Sequence, residues 1–72
     1  MMEEAIGVGK FARYVIEPRA EGVYLFVFES TDSAFPEKDF LEDTTVIAKE
    51  LCEEEFGVKP DHWRPYSGES LR

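Results

Sequence analysis

Residues 23–29, Val-Tyr-Leu-Phe-Val-Phe-Glu, are the most β-prone run in the chain and constrain its fold more than any other segment. In a strand, Val23, Leu25 and Val27 point to one face, and Tyr24, Phe26 and Phe28 to the other. An antiparallel strand with one wet face alternates apolar with polar residues. Both faces are apolar here, so a sheet built on this strand needs cover on two sides. A second β-prone run, residues 10–17 (Lys-Phe-Ala-Arg-Tyr-Val-Ile-Glu), ends at Pro18, which cannot donate to a ladder. Arg19-Ala20-Glu21-Gly22 joins the two runs, and a short polar link containing Gly reads as the turn of an antiparallel hairpin.

One cover is a helix over residues 43–56. At 100° per residue, Phe40, Thr44, Ile47, Ala48, Leu51, Cys52 and Phe56 fall on one side. Glu42, Val46, Lys49, Glu50 and Glu53 fall on the other. Gly57 is placed as a left-handed C-terminal cap, with Val58 as its hydrophobic contact. Asp39 with Glu42 resembles a capping box, while Asp43 or Thr44 serves equally as N-cap. The later start is favoured because it leaves Phe40 and Leu41 free to extend the sheet as a short third strand. Residues 30–38 read as a loop broken by Pro36, and residues 62–64 as a short edge strand or a segment packed on the sheet. The expected fold is two-layer α+β: a long antiparallel hairpin, with short third or fourth strands, packed on one helix in the order ββ(β)α(β). It is one domain, residues 1–72, with an ordered core over about residues 10–66 and loose termini, including a tail from Ser67.

The apolar fraction of 43%, rich in Phe, Tyr, Val and Ile, is enough for a packed core in so short a chain. Sixteen acidic residues against eight basic ones give a net charge of −8, which repels phosphate backbones and anionic membranes. Neither nucleic acid nor membrane is therefore an expected partner. The plain reading of the charge is solubility. Cys52 is the only cysteine, so no internal disulfide forms, and this favours a reducing compartment. Acid at Glu3 and Glu4 stands where a secretory signal carries base, so the expectation is a cytoplasmic protein.

No motif carries catalysis, a metal or a cofactor. Gly7-Val8-Gly9-Lys10 lacks the Ser or Thr and the following helix of a phosphate loop, and reads as a lead into the first strand. Cys52 and His62 make half a zinc site at best, and a Cys on an apolar helix face has a raised thiol pKa. Asp32, Glu37, Asp39, Glu42 and Asp43 lack calcium-loop spacing and read as a solvated face, weakly as a protein-binding one. Glu53-Glu54-Glu55 lies at the helix end that disfavours anions. Glu55 falls near the middle of the apolar face. It needs Arg13, Arg64 or a Tyr hydroxyl as a partner, or a frayed last turn that reaches water.

The combination of Gly-Val-Tyr-Leu-Phe at 22–26, Glu-Phe-Gly-Val at 55–58 and Trp63 resembles a class of small bacterial hairpin-then-helix proteins with a Trp soon after the helix. The class has no established function. The resemblance supports the fold and a bacterial origin, and it transfers no functional residue. The sequence therefore reads as a non-enzymatic acidic protein-interaction module. Its expected surface is Tyr24, Phe26 and Phe28 with Trp63 and Tyr66, covered by the C-terminal segment or by a second copy in a homodimer. The alternative is an acidic inhibitor or immunity-type protein, for example a nucleic-acid mimic, that blocks a basic partner. No small-molecule substrate is evident.

Overall fold

A computed structural model describes residues 1–68 of the chain; of the tail expected over residues 67–72, positions 69–72 lie outside the described residues. The elements are β1 (Met2–Ile6), β2 (Arg13–Arg19), β3 (Gly22–Phe28), β4 (Lys38–Glu42), α1 (Thr45–Phe56), a 3-10 turn (Pro60–His62) and β5 (Arg64–Tyr66). The strands form one sheet in the order β4-β3-β2-β1-β5, every neighbouring pair antiparallel. The helix packs on β2, β3 and β4. This is the two-layer α+β architecture expected, with a sheet of five strands.

The hairpin closes on Ala20 and Glu21, with Arg19 opposite Gly22. Strand β2 runs through Pro18 to Arg19 instead of stopping before the proline. The β1 ladder ends at Ile16, so the amide that Pro18 lacks would have had no β1 partner. At its other end β2 starts at Arg13, not Lys10, because residues 7–12 close a loop of their own. Gly7 N–H donates to the Ala12 carbonyl (2.9 Å), and Lys10 N–H to the Phe56 carbonyl at the end of α1 (2.9 Å). Phe40 and Leu41 are strand, which settles the two readings of residues 39–42.

Thr44 is the N-cap of α1; its side chain accepts from the Ile47 amide (3.1 Å). Gly57 ends the helix at φ 80°, and its amide donates to the Glu53 carbonyl (3.0 Å). Ala48, Cys52 and Phe56 are buried and Leu51 half-buried, as the helical pattern requires. Ile47 corrects that pattern: it is 40% exposed, although its spacing places it on the apolar side.

Strand β1 is not announced by the sequence pattern, and it places the N-terminal residues in the sheet, well before the expected start of the ordered core at residue 10. Met-Glu-Glu-Ala-Ile has little β propensity, but its acids find partners once the sheet exists. Glu3 pairs with Lys49 of α1 (2.8 Å), and Glu4 with Arg13 of β2 (3.2 Å).

The sheet separates two buried clusters. On the helix side lie Ala5, Tyr14, Ile16, Val23, Leu25, Val27, Ala48, Cys52, Phe56, Val58 and Trp63. On the other side lie Val15, Tyr24, Phe26 and Phe28, with Tyr66 packed against them.

Candidate interaction surface

The five residues expected to form an interaction surface divide between the two sides of the sheet. Tyr24, Phe26 and Phe28 follow the alternation of β3 onto the face away from the helix, and Tyr66 joins them from β5. Trp63 does not. It sits in the helix-side cluster, because the 3-10 turn after Pro60 carries the chain back onto that side before β5 begins. Its indole Nε1 is buried with no hydrogen-bond partner among the described residues, a cost of about 1–3 kcal/mol that the ring's apolar burial must offset.

The face of Tyr24, Phe26 and Phe28 is closed in a single chain: their exposures are 7%, 2% and 1%. Tyr24 and Phe26 stack at 5.7 Å, and the Tyr24 hydroxyl donates to Glu21 (2.8 Å). Arg13 stands opposite Phe28, and its guanidinium lies 5.0 Å from the Phe28 ring and 5.0 Å from the Tyr66 ring. Glu4 holds it there. One cation thus roofs two rings, which answers part of the burial problem posed by a doubly apolar strand. Farther along β2, Glu17 is buried and accepts from Arg19 Nη1 (2.6 Å). These aromatics belong to the core and offer a partner little area.

Arg13 is therefore not the partner of Glu55. Glu53, Glu54 and Glu55 are all exposed, so the last helical turn carries its acids into water, with no basic residue in that turn.

The other candidate chemistries resolve in the same way. Gly9, at φ 69°, lies so close to the Phe56 carbonyl and the Tyr14 hydroxyl that any Cβ there would collide with both. The glycines of residues 7–10 thus let a loop dock on the end of α1. Tyr14 accepts the Phe11 amide (2.7 Å), and burial raises its phenol above the ordinary range. His62 Nδ1 accepts the Lys59 amide (3.1 Å) and so closes the 3-10 turn. No group of three or more His, Cys, Asp or Glu residues is placed to hold a metal ion among the described residues. No helix among them is long and apolar enough to cross a membrane. A cleft of about 360 Å³ lies along β1 and β5, lined by Glu4, Ile6, Val8, Asp61, His62 and Arg64. Glu4 and the His62 Nδ1 are already engaged, by Arg13 and by the Lys59 amide.

Cys52 is fully buried on the helix-side face, and burial pushes its thiol up to about 12. Only about one part in ten thousand is thiolate at pH 8, and thiolate is the reactive form. A thiol reagent such as dithionitrobenzoate is expected to leave the folded protein unlabelled over minutes at pH 8 and to label it at once in denaturant. Rapid labelling of the native chain would contradict this placement.

What the fold leaves open is elsewhere. Of the six large apolar side chains exposed among the described residues, four fall within residues 35–47: Phe35 (82%), Leu41 (49%), Val46 (64%) and Ile47 (40%). Phe35 lies in the loop before β4, Leu41 in β4 on the face away from the helix, and Val46 and Ile47 on the first turn of α1, where Val46 lines a cleft with Lys49 and Pro60. Asp39 and Asp43, also exposed, lie between them, and Glu42 is half-buried. The sequence does not reveal that Leu41 lies at a sheet edge, because the residue looks ordinary alone and only the strand order makes β4 an edge.

Comparison with protein-family models, with curated proteins and with solved structures finds no match.

Proposed function

We propose that this chain is a non-enzymatic protein-interaction module that associates with itself. The observation that carries the reading is the open edge of β4, a five-residue strand without proline that has no strand beyond it among the described residues and that carries the exposed Leu41. Single exposed hydrophobics are ordinary, but an open ladder is a surface to which a protein partner adds a strand. Mass in solution is the test. Light scattering or sedimentation is expected to show a mass above 8.3 kDa that rises with concentration. A mass of 8.3 kDa at every concentration would remove self-association.

A second reading, an acidic inhibitor of a basic protein, draws support from Glu53, Glu54 and Glu55. They are exposed at the helix end where the macrodipole disfavours them, a small stability cost that binding a cationic surface would offset. This reading expects a basic partner in a pull-down that is lost at high salt, since exposed charge pairs are screened.

A further inference from the structure

We infer that the open edge of β4 docks a second copy of this chain, pairing antiparallel about Phe40 so that Lys38 of each copy faces Glu42 of the other. The inference rests on the self-association reading and names its surface.

A five-stranded open sheet has two edges, and here they are unequal. Strand β5 has three residues, and the middle one is Pro65, which has no amide to give. That edge is short and blunted. Strand β4 has five residues and no proline, and its outward N–H and C=O groups have no strand partner among the described residues.

Edge strands commonly carry charge to repel other strands. The charges of β4 instead select one register. Its sequence is Lys-Asp-Phe-Leu-Glu. Paired antiparallel with a copy of itself about Phe40, each Lys38 lies directly opposite a Glu42, Asp39 lies opposite Leu41, and Phe40 opposite Phe40. The two Lys38–Glu42 contacts are related by the two-fold axis, so each favourable pair counts twice. Slipping two residues one way puts Asp39 opposite Asp39. Slipping two the other way puts Asp39 opposite Asp43. Both bring acid against acid, which cross-strand neighbours resist. Neither Lys38 nor Glu42 makes an ion pair among the described residues, so both are free for the second copy.

Apolar contact follows on both faces of the seam. Phe40, opposite Leu25, is half-buried on the helix side, and Leu41, opposite Tyr24, is 49% exposed on the other. A two-fold axis perpendicular to the sheet keeps the two helix layers on one side. On that side the first turn of α1, which carries the exposed Ile47, follows β4 after Asp43 and Thr44. A five-residue seam is small, so the dimer is a weak and concentration-dependent one.

Charge reversal tests this directly. Lys38→Glu puts a carboxylate opposite each Glu42, and Glu42→Lys puts an ammonium group opposite each Lys38. In an equimolar mixture of the two variants, the heterodimer sets both carboxylates of the Lys38→Glu chain opposite the two ammonium groups of the Glu42→Lys chain, so the mixture should dimerise where neither variant does alone. The double variant Lys38→Glu with Glu42→Lys is the rescue within one chain, and it restores both complementary pairs with their signs exchanged. Sedimentation from about 10 µM to about 1 mM spans the affinities expected of so small an interface. The wild-type mass is expected to rise toward twice 8.3 kDa. Each single variant should weaken dimerisation about tenfold or more, and the double variant should recover wild-type behaviour. Recovery in the double variant also shows that both substitutions leave the chain folded. Single variants that dimerise as tightly as the wild type, with no gain in the double variant, would overturn the β4 edge and leave self-association standing through another surface. A wild type that stays at 8.3 kDa across the range would remove both.

Discussion

Replacing Phe56 by alanine is expected to destabilise the domain by about 3–5 kcal/mol, the range for a large aromatic lost from a core. Phe56 is 6% exposed at the last turn of α1, and its ring meets three others. Phe11 approaches edge-on at 5.5 Å, Tyr14 at 5.9 Å and Phe40 at 6.1 Å. These three come from the loop before β2, from β2 itself and from β4, so one side chain ties the helix to the central strand and to one edge of the sheet. A chain of 72 residues has a total stability of roughly 4–11 kcal/mol on per-residue averages. The variant is therefore expected to be unfolded, or nearly so, at 37 °C, with a thermal midpoint at least about 12 °C below the wild type. A midpoint within two or three degrees, roughly what a surface substitution gives, would show that the helix does not dock as described.

Gly9→Ala should cost roughly 3 kcal/mol or more, although it adds a single methyl group. Two separate penalties add. A left-handed φ of 69° is strained for any residue with a Cβ, by about 1–2 kcal/mol. In addition, the new methyl would collide with the Phe56 carbonyl, which cannot yield without losing the Lys10 amide it accepts. Gly7→Ala separates the two. Gly7 has a similar φ of 74°, but a Cβ there meets nothing within 4 Å, so it carries only the strain. Urea titrations of both variants should rank Gly9→Ala well below Gly7→Ala. Equal midpoints would mean that the loop is not seated on the helix end.

Much of this architecture can be read from residues. The hairpin, the helix cap at Gly57 and the burial of Ala48, Cys52 and Phe56 follow from local patterns whose meaning does not depend on distant neighbours. Strand β1 does depend on them. Glu3 and Glu4 look like a solvated leader until Lys49 and Arg13, 46 and 9 residues away, are brought beside them. The surface reading fails at Trp63 for a related reason. Its face is set by a three-residue turn, where a change of one position moves a side chain across the sheet. The need to cover Tyr24, Phe26 and Phe28 is legible in the alternation of β3. Part of that cover is a cation, Arg13, which the eye assigns to the surface. The open edge of β4 is illegible, because only the strand order reveals which strand lacks a neighbour.

The pairing of β1 with β5 has a kinetic meaning. Met2 lies beside Tyr66, so this seam joins segments some 64 positions apart, whereas the β2–β3 hairpin closes a loop of two residues. The entropy of closing a loop grows with its length, and contacts between distant segments form late for that reason. The hairpin, with α1 laid on it, can condense first from local contacts. Strand β1 is a local neighbour of β2, across residues 7–12, so β5 is the strand expected to join last and, on the return path, to open first.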